Sequence, residues 1–411
     1  MKREQIYLNS IHRRFRSKTN DRKLFSRVTS ASSEQRKQIM GDIAELIKRR
    51  GLAYGFLAFY RQQVNCGFVL SDPLNPRGKK VKRFKDKKTG VEFRFLWNPD
   101  REMRKNHKLL IERGIIAGDV DKSKLINIQK DGKPCYLCRE NIALQNPAEI
   151  LLPVRLAGQD YFAGANFAYI ENNHFTIINM RHRRQRYEKR ILASLIDFVS
   201  KTDGFFRAIF NGLAGATIVW HEHLQATTEP FPVEDIRISR KDTVFHKRDL
   251  RVSRPFYYTP LWVIEGRNKQ TVIKAADRII TGWQNLNPKT NTENVIAVKS
   301  KGLFRIFIFL RDTRRLAGKG KFGGMASFEC GGSIVLSYKP KPGQKGGPDE
   351  RKTFYNADID TVKRLLTEIA PVADDSGKRT AYSWKSCMQP SRGCTSEIPT
   401  TKITHKTRIK N

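Results

Sequence analysis

Negative charge is scarce. The chain of 411 residues has 40 Asp and Glu against 78 Lys and Arg, a formal charge of +38. Such an imbalance implies polyanionic partners: nucleotides, nucleic acid or an acidic membrane surface. No run of eighteen apolar residues occurs, which excludes a transmembrane helix, and no membrane role is expected. The opening MKREQIYLNSIHRRFRSK is basic but lacks the apolar stretch of a secretory signal. Six cysteines are too few for a disulfide framework at this length, so a reducing, cytoplasmic setting is expected. The apolar fraction of 39% is low but enough for a core. Histidine is also rare, eight in all, so where it falls is informative.

Roughly half of the excess charge lies in the first 130 residues. Its densest run is PRGKKVKRFKDKKTG, Pro76 to Gly90. It reads first as a solvated basic hairpin. A nucleic-acid footprint is the sharper alternative, and the absence of regularly interleaved aromatics weighs against it.

Periodicity organises the rest. Residues 33–50 read as a helix ending at Gly51, and residues 54–70, apolar and aromatic, as the first strands. VEFRFLWNP alternates like a strand, residues 101–113 look helical, and KPCYLCREN is a tight turn with two thiols. ANFAYIE and HFTIINMRH read as paired strands across Asn172 and Asn173. Residues 187–202 form an amphipathic helix, FRAIFNG a strand, and ATIVWHEHLQA the next. The order then recurs: a helix over 270–284, a hairpin ENVIAVKS and LFRIFIFLRD across Lys301 and Gly302, a glycine-rich loop, GGSIVLSY, and a helix over 357–370. The last forty residues read as a polar tail. The fold class is α+β, with two halves built on antiparallel sheets. The domains are a basic N-terminal region, 1–130, packing on the core; a first half, 131–235; a second half, 236–370; and the tail, 371–411.

The stretch FNGLAGATIVWHEHLQATTEP carries the chemistry. On a strand, side chains alternate, so His221, His223 and Gln225 share one face. Three polar groups in a row seldom serve packing alone. Gly212 and Gly215 precede them, and such glycines let backbone N–H groups approach a phosphate. Imidazole attacks phosphorus when one ring nitrogen is free and the other is held as a donor. His223, central in the row, is the expected nucleophile, presenting Nε2 while a backbone carbonyl holds Nδ1–H. Gln225 can donate an amide N–H to a phosphoryl oxygen but cannot deliver a proton as histidine does.

Cys135-x-x-Cys138 has metal-ligand spacing, and a tetrahedral site needs two more donors. His174, His182 and His221 are the candidates. His182, in the basic NMRHRRQ, and His221 complete the expected zinc site, and His174 then lines or braces the pocket.

Together, HFTIINMRHRRQ and NGLAGATIVWHEHLQA resemble the histidine-triad superfamily. The His-x-His-x-Gln ending resembles its nucleotidyltransferase branch, which includes galactose-1-phosphate uridylyltransferase, diadenosine tetraphosphate phosphorylase and GDP-galactose phosphorylase. LWNPDRE, CYLCRENIALQ and NFAYIENNHFTI resemble segments of bacterial members. FRIFIFLRD and FECGGSIVLS resemble the second half-domain, so the likeness covers roughly residues 91–370. It implies two histidine-triad-like halves, the first catalytic and the second degenerate. It further implies His223 as the residue that becomes nucleotidylated and Gln225 as the one that holds the intermediate. Cys135, Cys138, His182 and His221 match a structural zinc set, and Asn211 and Thr217 match polar positions near the phosphates. Gly215 and His174 complete the expected substrate pocket. Arg311, with Lys301 and Arg305, is a candidate to neutralise phosphates from the second half. The implied substrates are a nucleotide sugar or dinucleotide, with phosphate or a sugar phosphate as acceptor. A hydrolase of the same fold and a nucleic-acid-binding protein acting on nucleotidylated ends are the alternatives. Glu222 and Trp220 depart from the family pattern.

Overall fold

The computed structural model describes residues 33–70, 79–98, 101, 106–129, 131–146, 148–320, 325–335 and 350–371. The expected polar tail and the first part of the basic N-terminal region lie outside them.

Helix α1 spans Ser33–Arg50 and stops where Gly51 takes a φ of 89°, as its pattern predicts. The next segment corrects the sequence reading. Leu52–Asn65 is a helix, α2, not a pair of strands. Its apolar residues are dense enough to satisfy either period, and tertiary packing selects the helical one. Phe56, Phe59 and Tyr60, at i, i+3 and i+4, lie on one face and meet Phe175 with ring centroids at 4.8, 6.0 and 5.2 Å. Strands β1 (Lys80–Lys85) and β2 (Glu92–Trp97) form the basic hairpin. Much of its charge is spent internally. Lys79 pairs with Glu171, Lys82 donates to the carbonyls of Tyr355 and Ala357, Lys85 donates to Gly90, and Arg83 faces Glu92. Lys80, Lys87 and Lys88 remain exposed, as the solvated-hairpin reading expects.

Helices α3 (His107–Glu112) and α4 (Arg139–Gln145) precede the main sheet. Strands β3 (Leu152–Leu156), β4 (Gln159–Ala165) and β5 (Phe175–Asn179) form an antiparallel meander. ANFAYIE lies mostly in the loop between β4 and β5, not in a strand as its alternation suggests. Helix α5 (Lys189–Lys201) follows, then β6 (Arg207–Asn211) and β7 (His223–Thr227). The second half runs β8 (Thr243–Lys247), β9 (Leu250–Ser253), β10 (Leu261–Gly266), α6 (Lys269–Leu286), β11 (Asn291–Ser300) and β12 (Leu303–Asp312). Lys301 and Gly302, at φ 49° and 76°, make the tight turn expected between the last two.

Each half has three strands, a helix and two strands. In space the first half runs β3-β4-β5-β7-β6 and the second β8-β9-β10-β12-β11. The repeat foreseen in the sequence is thus present, but the halves do not keep separate sheets. β6 pairs antiparallel with β11, Phe210 opposite Val295, and fuses them into ten strands. Helices α5 and α6 cover one face of that sheet, burying Ile191, Leu195, Val199, Ile279 and Trp283. On the other face lie β1 and β2, joined by the short helix α7 (Ser327–Cys330), β13 (Ser333–Val335), α8 (Glu350–Asn356) and α9 (Ile359–Glu368). β13 runs parallel to β2, so Ser333–Val335 of the expected strand GGSIVLSY joins the N-terminal hairpin and not the second half's own sheet.

Candidate active site and metal centre

Strand β7 starts at His223, seven residues later than the expected strand ATIVWHEHLQA, which begins at Ala216. His221 and Glu222 belong to the preceding bend. On β7, Leu224 and Ala226 point into the core beneath α5, and His223 and Gln225 take the opposite face. Across the ladder Gln225 faces Ile209, Ile209 faces Ile296, and Ile296 faces Phe307. That face of β12 thus carries Phe307 and Phe309 between Arg305 and Arg311. The second half offers apolar rings where the first has His223 and Gln225.

His223 is buried. Its Nδ1 lies 2.9 Å from the carbonyl of His221, a pure acceptor, so Nδ1 carries the proton and Nε2 keeps its lone pair. Burial holds the ring's pKa below that of a free imidazole, which favours this neutral tautomer. The backbone is clamped as well. Gln185 Oε1 accepts from the His223 N–H at 2.8 Å, and its Nε2 donates to the carbonyls of His223 at 3.0 Å and Asn211 at 2.8 Å. The amide of Asn211 points towards Gln225 Oε1 at 3.4 Å, and its Oδ1 accepts from the Ser327 N–H at 2.8 Å. His174 sits beside Gln225 and against the ring of Phe328, centroids 5.1 Å apart. Its Nδ1 accepts from the Ile170 N–H at 3.2 Å. Its Nε2 is buried without a hydrogen-bond partner, and burial lowers its pKa to about 3.

The glycine turn corrects one expectation. Gly215 and Ala216 donate to the Gly212 carbonyl, Gly212 donates to Glu293, and Leu213 donates to Thr292 Oγ1. These amides are used within the protein, so they form no open row of phosphate donors. The glycines serve close approach instead: a Cβ on Gly212 would stand 2.2 Å from Thr292 Oγ1, and one on Gly215 3.0 Å from Ala326 Cα. Thr217 is exposed beyond the turn. Arg311 is fully buried and donates to the carbonyls of Met325 and Ile369 and to Cys330 Sγ, bracing the loop that carries Ser327. Arg305 pairs with Glu265, and Lys301 occupies the hairpin turn.

Cys135, Cys138, His182 and His221 converge, with ligand atoms all within 4.8 Å of one another. His221 Nδ1 lies 3.4 Å from Cys135 Sγ and 3.6 Å from Cys138 Sγ, and His182 Nδ1 lies 3.3 Å from Cys138 Sγ. Tetrahedral zinc with ordinary bond lengths separates sulfur and nitrogen ligands by about 3.5 Å. The surroundings fit a cation too. His221 Nε2 donates to the Asn179 carbonyl at 2.7 Å, which leaves Nδ1 free for metal. Asn127 Nδ2 lies 3.1 Å from Cys138 Sγ, the donor a thiolate needs. Without a cation, burial pushes the Cys138 thiol up to about 12. His174 stands apart from the four, as expected.

Glu222, the unusual neighbour, makes its hydrogen bonds to groups other than the two histidine rings. Fully buried, it pairs with Arg190 and accepts from Asn179 Nδ2 at 2.8 Å and Tyr161 OH at 3.3 Å. It therefore orients Asn179, whose carbonyl fixes His221. Gln185, Asn179 and Arg190 were not singled out from sequence. Their one signal is weak: Gln185 is the one side chain in RHRRQRY that is neither basic nor aromatic.

A family model described as a domain of unknown function (DUF4922) matches residues 78–228. Galactose-1-phosphate uridylyltransferase of Clostridium acetobutylicum is 24% identical over 217 residues, 48% of this chain and 44% of that protein. The protein of the same name from Streptococcus mutans is 28% identical over 208 residues, 44% of this chain and 42% of its own length. The chain thus spans less than half the length of these relatives. Among solved structures, yeast Ap4A phosphorylase Apa2 is matched at 13% identity and a TM-score of 0.43, over 82% of this chain and 94% of that one. The chain thus has a duplicated antiparallel fold with a His-x-His-x-Gln segment in its first half, and over part of its length it is similar in sequence to galactose-1-phosphate uridylyltransferases.

Proposed function

We propose that the chain is a nucleotidyltransferase or phosphorylase that acts by double displacement at an α-phosphorus. The observation that carries this reading is the His223 tautomer: Nδ1–H held by the His221 carbonyl and Nε2 free. In the first step Nε2 attacks the α-phosphorus of a nucleotide sugar or dinucleoside polyphosphate. A P–N bond forms, the phosphoanhydride P–O bond breaks, and the phosphorylated leaving group departs with its electron pair. In the second step inorganic phosphate or a sugar phosphate attacks the same phosphorus and frees Nε2. Gln225, on the same face, holds the phosphoryl oxygens through its amide, and Asn211 orients that amide. Gln185 keeps the nucleophile's backbone in place. His174, neutral and with an unpartnered Nε2, is available to a substrate oxygen beside Gln225. Zinc held by Cys135, Cys138, His182 and His221 would be structural, since four protein ligands leave no open position.

Incubation with radiolabelled nucleotide sugars and dinucleotides tests the proposal. Acid-labile label on the protein, lost in His223→Gly, is expected. No label from any of them, or wild-type labelling in that variant, would overturn it. A hydrolase of this fold would instead release nucleoside monophosphate with no need of an acceptor.

A further inference from the structure

The segment RHRRQRYEK, residues 181–189, is far more basic than a zinc ligand and a backbone clamp require. His182, though exposed, joins the metal cluster, and Gln185 is buried against the backbone of His223. Between and around them Arg181, Arg184, Arg186 and Lys189 are exposed. Among the described residues no carboxylate lies within ion-pair distance of Arg181 or Arg186, whereas Arg190 is fully engaged with Glu188 and Glu222. The segment is laced to the bend that leads into β7: Gln185 N–H donates to the Val219 carbonyl and Glu222 N–H to the Arg183 carbonyl. Arg184 lies over the ring of Trp220, 4.9 Å from its centroid, and Trp220 is partly exposed three residues before His223.

Cations alternating with an aromatic face, beside a phosphorus-attacking histidine, have a specific chemistry. One sugar phosphate needs one or two cations. A row of four with a stacking plane matches a strand that offers a phosphate at every nucleotide and a base between them. We propose that residues 181–189 and Trp220 form a docking surface for single-stranded nucleic acid, which delivers its terminal phosphate towards His223. In the dense basic run at Pro76–Gly90, by contrast, Lys79, Lys82 and Lys85 are held by groups of the protein itself.

Fluorescence anisotropy with a labelled single strand of about 12 nucleotides tests the surface, that length being within the range single-strand binders cover. The full chain is compared with the triple variant Arg181→Gln, Arg184→Gln, Arg186→Gln and with Trp220→Ala. A control triple, Lys241→Gln, Lys247→Gln, Arg248→Gln, removes equal charge at the far edge of the sheet. The first triple should weaken binding on the order of tenfold and reduce the slope of log K against log salt by about 2. Trp220→Ala should weaken it by about tenfold, and the control should leave it unchanged. Equal losses in both triples, no effect of Trp220→Ala, or equal binding of a duplex would overturn the assignment. Should the first triple lower the urea midpoint, Arg186→Gln alone carries the test. Binding is read without turnover, so its failure is separable from failure of His223 labelling.

Discussion

Replacing Gln185 with leucine is the sharpest test of how His223, the proposed nucleophile, is held. The two side chains are similar in size, and the site is fully buried, so no cavity of consequence forms. What disappears is three hydrogen bonds of 2.8, 3.0 and 2.8 Å that join the loop to the backbone of His223 and Asn211. The His223 N–H then lies buried without an acceptor, which alone costs about 1–3 kcal/mol. The two carbonyls lose donors as well, so about 3 kcal/mol of stability is the expected total. Urea unfolding reads this as a lower midpoint at unchanged slope. The rate of His223 nucleotidylation should fall further than stability alone implies, since a shift of about 1 Å in a reacting group costs roughly 100-fold. Gln185→Glu keeps an acceptor for the N–H but loses both donations, and should fall between. Lost stability with a wild-type labelling rate would refute the positioning role. Wild-type stability would refute the accounting itself.

Protein purified without chelator should contain about one zinc per chain, lost in Cys138→Ser; metal analysis that finds none, with both thiols freely titratable, would refute the centre. Arg190→Met should destabilise by about 3 kcal/mol, because it leaves the Glu222 carboxylate buried without its cation; an unchanged urea midpoint would contradict this. Gln225→His should shift products towards free nucleoside monophosphate at fixed acceptor concentration, since imidazole can activate water and an amide cannot; an unchanged ratio at retained turnover removes the physical basis for a transferase. His174 is buried neutral, its pKa lowered by burial to about 3 from the ordinary histidine value of about 6.5. The unfolded chain therefore binds a proton that the fold excludes, and stability is lost as pH falls from about 6.5 towards 3. His174→Asn should flatten acid unfolding across that window, and an unaltered slope would count against the burial argument.

Local pattern carried much of this site. His223 and Gln225 were legible because strand alternation needs only adjacent residues, and Cys135 with Cys138 because their spacing is itself the signal. The histidines that complete the cluster followed from scarcity. Gln185, Asn179 and Arg190 were not legible, because each acts on a partner some 32–43 positions away. The helix at Leu52–Asn65 was misread for a related reason: its rings fit either period until Phe175, Phe198 and Phe206 arrive to choose. The glycine turn shows the converse error. Gly212 and Gly215 were correctly marked as required, but the backbone they admit is β11 and its neighbours, not a phosphate.

The seam between β6 and β11 bears on what can exist as a separate polypeptide. The segment matched by the family model, 78–228, closes at the end of β7. Expressed by itself, that segment would bare one whole side of β6, four residues of unmet hydrogen-bonding edge flanked by Ala208, Ile209 and Phe210. It would also strip β2 of β13, its parallel neighbour. An unprotected apolar edge in mid-sheet recruits whatever strand it meets, a second copy included. A chain trimmed to that segment would have to find a substitute for β11 before it could stay in solution.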